Sequence, residues 1–310
     1  MTNTRPDNQT TIERPEGLTA EVWPYEIETA QLDQATVAKF DGIELERISL
    51  AYTDEGEGPT LLLVHDGMCS YLWVHLIERL RDRFRVVTLD FPGSGLSPAS
   101  DEPVSLETDS RLLESFVDHL ELTDITLVVH DLGGGVGLAF ATRRPELIAG
   151  LALVNTFAWP PHTTPLRGML RLMGSRPMAA FNSVTNFMAR ASSSRFGVGR
   201  HFTREQKRAF LQMFRRKVSR RRFHALMASA ARSGDYLANV EAGLSKLSGK
   251  PALTIFGKRN DPFRFQDRWL TLFPEADQMV IRGGYHFPMC DDPDGVAERI
   301  AEWHQATHPE

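Results

Sequence analysis

An α/β architecture is what this sequence predicts: a mostly parallel central sheet flanked by helices, with a helical unit inserted late in the chain. Three observations carry the prediction. Short, continuous apolar runs recur along the chain, and amphipathic stretches with helical spacing separate them. Strands buried on both faces lose the in–out alternation of a half-buried sheet, and their alternation with helices marks a doubly wound parallel sheet. The third observation is a break between Phe157 and Lys246, where no strand pattern occurs and the charge balance reverses. A chain of 310 residues, 42% hydrophobic and 24% charged, can bury one large core and still carry such an insertion.

Taken in order, residues 1–40 are polar with scattered prolines and read as an N-terminal arm. Strands are expected at 48–52, 60–64, 85–89, 125–129, 151–154, 252–256 and 278–281, with helices at 106–120 and 296–304. The core domain then comprises 41–156 and 247–310, and a helical cap comprises 157–246, with helical periodicity clearest over 206–217. Ligands of open α/β sheets bind outside the carboxyl ends of the strands, so a cap inserted there would roof the site.

The cap holds 17 Lys or Arg against Glu205, Asp235 and Glu241, a net +14 in a chain whose total is −5; the remainder is −19. The run Arg215, Arg216, Lys217, Arg220, Arg221 and Arg222 reads as a solvated helix face. The opposed charges of cap and body would help hold the lid. Without a binding motif and with a negative total, nucleic acid is not an expected partner. Six of the ten methionines also fall in the cap, suiting a deformable apolar interior. No stretch reaches the roughly 20 apolar residues that span a bilayer, and no membrane partner is expected. The first residues lack an apolar leader core, and Cys69 and Cys290 are far apart in the chain; both point to the cytoplasm. No metal or cofactor motif is present.

Three residues after expected strands carry the chemistry. Asp131 stands in Val-Val-His-Asp-Leu-Gly-Gly-Gly, where a strand turns sharply into a helix. Asp261 follows the strand at 252–256, and His286 follows the one ending at 281. Singly, each has a plainer explanation: a helix N-cap, a turn residue before Pro262 and a packed histidine. Together they have the chain order of nucleophile, acid and histidine on a strand–turn–helix elbow.

On these residues the chain resembles the α/β-hydrolase superfamily over roughly residues 40–305, and most of all its haloalkane dehalogenase and epoxide hydrolase branch. Further matching segments are Leu-Leu-Val-His-Asp-Gly-Met-Cys-Ser-Tyr-Leu-Trp (62–73), Asp-Phe-Pro-Gly-Ser-Gly-Leu-Ser (90–97), Leu-Val-Asn-Thr-Phe-Ala-Trp-Pro (153–160) and His-Phe-Pro-Met-Cys-Asp-Asp-Pro (286–293). The resemblance implies an aspartate nucleophile, Asp131, that forms an alkyl ester. His286 would activate water, Asp261 would orient His286, and the backbone N–H groups of Leu132 and of Gly67 or Met68 would hold the oxyanion. The implied substrate is a small apolar organic molecule, with water as co-substrate and no cofactor.

The chain also departs from that pattern. Leu132 stands where dehalogenases carry a halide-binding tryptophan, and Gly67 or Met68 where they carry an asparagine. Trp73 and Trp159 are the remaining candidate indole donors, although core packing is the expected role of both. Tyr236 is the one cap tyrosine, where epoxide hydrolases use two. Asp66, where the superfamily has glycine, reads as a turn substitution or as a carboxylate near the oxyanion loop that retunes the site. The alternatives are therefore carbon–halogen cleavage, opening of an epoxide or another activated carbon, and a non-catalytic binding protein on a hydrolase fold.

Overall fold

A computed structural model describes residues 10–32, 48–161 and 163–308. Nine strands form one sheet in the order β1-β2-β3-β5-β4-β6-β7-β8-β9: β1 (Thr10–Thr11), β2 (Glu28–Leu32), β3 (Ile48–Glu55), β4 (Thr60–Asp66), β5 (Arg85–Leu89), β6 (Ile125–Asp131), β7 (Ile148–Thr156), β8 (Ala252–Gly257) and β9 (Asp277–Ile281). From β5 onward across the sheet every pairing is parallel, while β1, β2 and β3 add antiparallel partners at one edge. The continuous apolar runs explain the parallel part: β5 and β8 are buried at every position. The central pair β4 and β6 end on the same tripeptide, Val-His-Asp, in register, so that Asp66 stands opposite Asp131. The side chain of Asp66 lies outside the described residues.

The segment expected to be an irregular arm instead contributes β2, which pairs with β3 over five residues. Leu18, Trp23, Tyr25 and Ile27 before it are buried. Short and half polar, β2 lacks the run length that announces the inner strands; pairing with β3 stabilises it.

Six helices flank the sheet outside the insertion: α1 (Val74–Leu80), α2 (Leu106–His119), α3 (Gly133–Arg143), α10 (Phe265–Leu272), α11 (Pro288–Asp291) and α12 (Pro293–Thr307). Helix α3 lies against the sheet because its first turn is glycine. A Cβ on Gly133 would stand 2.6 Å from the Val64 carbonyl oxygen, and one on Gly134 would stand 2.1 Å from Thr156 Oγ1. Only glycine permits that approach, and the approach puts the start of α3 directly behind Asp131.

Between β7 and β8 the described residues form helices alone: α4 (Thr164–Met173), α5 (Arg176–Thr185), α6 (Phe187–Ser192), α7 (Arg204–Met213), α8 (Lys217–Ala230) and α9 (Gly234–Gly243), with short 3-10 turns. The periodicity over 206–217 is not one helix but the junction of two, since α7 ends at Met213 and α8 begins at Lys217. Helices α4 and α5 pack on α8, whereas α9 packs on α3 against the body of the sheet.

The cationic run is a solvated face only in part. Arg222 is buried and bonds Asp109 of α2 at 2.6 Å and Ser94 Oγ at 2.9 Å. Arg220 is buried and donates to the carbonyls of Phe214, Arg215 and Ser183, while Arg216 donates to those of Gly95 and Ser97. Long aliphatic stems let these guanidinium groups cross apolar surface and reach carbonyl oxygens at loop and helix ends. Arg215, Lys217 and Arg221 remain exposed.

Candidate active site

Asp131 closes β6 with φ +50°, a conformation that costs a non-glycine residue energy. Two features hold it there. Thr156 Oγ1 donates to the Asp131 carbonyl at 2.7 Å, and the β6–β7 register shifts between His130 and Asp131. The bend turns the carboxylate to the carboxyl edge of the sheet, where His286 Nε2 lies 3.4 Å from Asp131 Oδ2.

His286 sits on the loop after β9, and that loop is tied down from three sides. Asn155, at the end of β7 with φ +37°, donates to the carbonyls of Tyr285 at 2.7 Å and His286 at 3.0 Å, and accepts from Gly257 N–H at 3.0 Å. His130 Nε2 bonds the His286 carbonyl at 2.9 Å. Asp291 accepts the Tyr285 N–H and pairs with Arg200 of the insertion at 3.3 Å. None of Asn155, His130, Asp291 and Arg200 was singled out from sequence as a site residue. Asn155 and Asp291 lie within the matching segments and His130 within the elbow motif, and that position is the signal they carry.

The structure separates the expected third member from the other two. The carboxylate of Asp261 accepts the N–H groups of Phe265 at 2.6 Å and Gln266 at 3.0 Å, so it caps α10. Its neighbour Asn260 faces the imidazole instead, with Nδ2 3.1 Å from His286 Nδ1. The physical reason is competition for one carboxylate. The first turn of a helix offers unsatisfied N–H groups, and the loop brings them to Asp261 before it brings His286.

Burial raises the pKa of the Asp131 carboxyl, but the histidines around it, His286 foremost, outweigh burial and hold it below the usual carboxylate range. His130 is pushed down to about 4, by burial first and then by His286. His65 is pushed down to about 3, by burial first and then by His130. Both are therefore uncharged at neutral pH, which leaves His286 as the partner that counts for Asp131.

The walls are apolar. Leu132 and Met68 are buried. Gly67, with φ +93°, faces α8, where Met227 Cε, Leu226 Cδ2 and Phe223 Cδ2 would lie 3.4, 3.6 and 3.8 Å from an added Cβ. Trp73 is buried with its edge towards His130, ring centres 6.3 Å apart, and its indole N–H has no hydrogen-bond partner among the described residues. Trp159 is buried among Phe157, Phe265 and Trp269. Tyr236 donates to the carbonyls of Leu106 and Gly135, so its hydroxyl is used within the scaffold. A surface cavity of about 170 Å³ opens on the flank of α8 beside Pro92, Pro103, Val218 and Arg221; none of its lining residues belongs to the Asp131 constellation. Among the described residues no group of three or more His, Cys, Asp or Glu side chains is arranged to hold a metal ion.

Residues 59–293 match the alpha/beta hydrolase fold family. The chain is 31% identical over 267 residues to haloalkane dehalogenase 2 of Mycobacterium tuberculosis, covering 81% of this chain and 90% of that one. The chain belongs to the α/β-hydrolase fold family, in its haloalkane dehalogenase branch. The hydrolase is also 28% identical over 266 residues to the cis-3-alkyl-4-alkyloxetan-2-one decarboxylase of Shewanella oneidensis, covering 81% of this chain and 83% of the relative. The crystal structure of a haloalkane dehalogenase from Bradyrhizobium elkani superposes with a TM-score of 0.75 at 19% identity, covering 91% and 98% of the two chains. The likeness at that identity is one of fold, and it places this enzyme's sheet and insertion in the same architecture.

Proposed function

We propose that the hydrolase attacks a saturated, activated carbon of a small apolar substrate with Asp131. The observation that carries this reading is the strained Asp131, 3.4 Å from His286 Nε2. In the first step an Asp131 oxygen forms a C–O bond as the carbon–halogen bond breaks, and halide departs with the bonding pair. In the second, water gives a proton to His286 while its oxygen adds to the carbonyl carbon of the Asp131 ester. The N–H of Leu132, at the start of α3, and that of Gly67 or Met68 receive the oxyanion. On its collapse the departing oxygen takes the proton back from His286 to leave as the alcohol, and Asp131 loses its carboxyl proton to solvent and is regenerated. A carboxylate nucleophile suits an alkyl carbon; on an ester carbonyl it would give an anhydride.

Asn260 supports the histidine. As placed, Asn260 Nδ2 faces Nδ1; with the amide rotated by 180° its oxygen would accept from Nδ1–H and leave Nε2 as the base.

A second reading is favoured by one observation. Buried Leu132 offers no side-chain donor beside the nucleophile, so a free halide leaving there would lack the usual indole N–H. A strained ring avoids that need in part, because its leaving oxygen stays tethered to the substrate. An oxetan-2-one, the substrate named for the Shewanella relative, leaves as a carboxylate whose charge spreads over two oxygens; an epoxide leaves as an alkoxide.

Trapping distinguishes these. His286→Phe, incubated in turn with bromoalkanes, epoxides and dialkyl oxetan-2-ones, should accumulate an adduct on Asp131 that intact-mass and peptide spectrometry locate. An adduct with halide release supports dehalogenation. An adduct from the rings alone supports the second reading, and no adduct from any of them overturns the role of Asp131.

A further inference from the structure

Among the described residues, the most exposed large apolar side chains are concentrated on one part of the insertion. Met169 and Leu172 on α4, Phe181 and Val184 on α5, Phe187 on α6 and nearby Phe196 stand in solvent, Val184 at 85% exposure and the others at 44–59%. Elsewhere among the described residues only Val280 is comparable. Helices α4 and α5 lie side by side on α8, and the rings of Phe181 and Phe187 are 5.8 Å apart. Helix α4 already has its core face in Leu166 and Leu170, both buried, so Met169 and Leu172 form a second apolar stripe that the fold does not use.

The charge on the same surface is as one-sided. Arg167, Arg171, Arg176, Arg190 and Arg195 are exposed, and from Phe157 to Arg204 the sequence contains no Asp or Glu. Among the described residues none of these five arginines has a carboxylate within ion-pair distance. Of the exposed arginines of the core, Arg83 pairs with Glu298 and Arg264 with Asp267, while Arg259 and Arg282 stand apart from carboxylates among the described residues.

Apolar side chains interleaved with cations and no acids match one kind of surface, an anionic lipid leaflet. There the apolar groups enter the headgroup boundary and the guanidinium groups meet phosphates. A second copy of the chain fits poorly, because a two-fold contact through this face would set its arginines against their own images. We propose that α4–α6 form a peripheral membrane-binding face for anionic phospholipid bilayers. The protein would lie on the membrane without crossing it, since no helix among the described residues is long and apolar enough to span one. The consequence for the enzyme is positional: α8, on which these helices rest, also covers Gly67, so apolar substrates dissolved in the leaflet would be met on the insertion side.

Cosedimentation of the full chain with vesicles tests this. The protein should pellet with phosphatidylcholine–phosphatidylglycerol vesicles, be released by high salt, and remain in solution with phosphatidylcholine alone. The double variant Phe181→Glu/Val184→Glu should bind at least about tenfold more weakly at unchanged melting temperature. Val184→Trp, which removes nothing the fold needs, should shift its emission to the blue with the anionic vesicles. The proposal is overturned if the native chain stays in solution with the anionic vesicles. It is equally overturned if the Val184→Trp emission does not move, or if a native dimer is found that the double variant splits.

Discussion

Replacing Asp261 with Ala and, separately, Asn260 with Ala sets two assignments of the histidine's partner against each other. In the structure Asp261 accepts two backbone N–H groups at the start of α10, at 2.6 and 3.0 Å. Losing that cap should cost about 1–2 kcal/mol, read as a fall of a few degrees in melting temperature. Because the carboxylate does not touch His286, the single-turnover rate of ester hydrolysis should change less than about threefold. Asn260 lies 3.1 Å from His286 Nδ1. A neutral hydrogen bond contributes about 0.5–1.5 kcal/mol, so Asn260→Ala should slow hydrolysis by roughly two- to tenfold. It should leave alkylation of Asp131 unchanged, and the alkyl-enzyme should accumulate. Rapid quench followed by mass spectrometry measures both steps in one experiment. The reasoning is refuted if Asp261→Ala keeps its melting temperature and loses about a thousandfold or more in hydrolysis, which is the scale expected when a triad acid is removed.

Further predictions follow from packing and charge. Arg222→Met strands Asp109 in the core without its guanidinium and should cost about 3–5 kcal/mol. Urea unfolding should show that loss at low and high salt alike, with Asp109→Leu/Arg222→Met recovering part of it; a loss that salt abolishes would mean a solvated pair. Gly134→Ala should destabilise by about 3 kcal/mol or more, because its Cβ would stand 2.1 Å from Thr156 Oγ1 and 2.5 Å from the Phe157 carbonyl oxygen. Gly234→Ala, with nothing within 4 Å, should be neutral or stabilise by up to about 1 kcal/mol. Equal effects in calorimetry would refute the close-approach argument. His130 and His65 titrate near 4 and 3 when folded and near 6.5 when unfolded, so the unfolded chain binds more protons between those values. Stability should therefore fall as pH drops from about 6.5 towards 4, by roughly 3 kcal/mol for His130 alone. A melting temperature that stays flat from pH 7 to 5 would contradict this.

Much of the scaffold was legible because it rests on local patterns. Apolar run length marked β4 to β9 and their alternation with helices, and glycines after a strand marked the turn at Asp131. Both signals arise within a few residues of chain. Where the pattern is weak, the reading failed. The five residues of β2 resemble a polar arm until β3 pairs with them, and the spacing over 206–217 continues smoothly across the turn between two helices. The arginines of 215–222 look alike in sequence, yet Arg222 and Arg220 are buried and Arg215 and Arg221 are not; their partners come from segments up to 128 residues away.

The catalytic edge divides in the same way. Asp131 and His286 could be named from sequence, because each follows a strand and strand ends converge on one edge of a parallel sheet. Which residue faces His286 Nδ1 could not be named. Asn260 and Asp261 are adjacent, and the choice turns on which of them the first turn of α10 claims. The tertiary structure also recruited Asn155 and Asp291 to hold the histidine loop, by contacts that no local periodicity encodes. The sequence by itself determined most of the sheet, the elbow and Asp131 as the candidate nucleophile, since these follow from short-range apolar patterning and backbone sterics. Only the tertiary structure decided the partners of those groups, because hydrogen bonds and buried ion pairs are made between segments that the fold alone brings together.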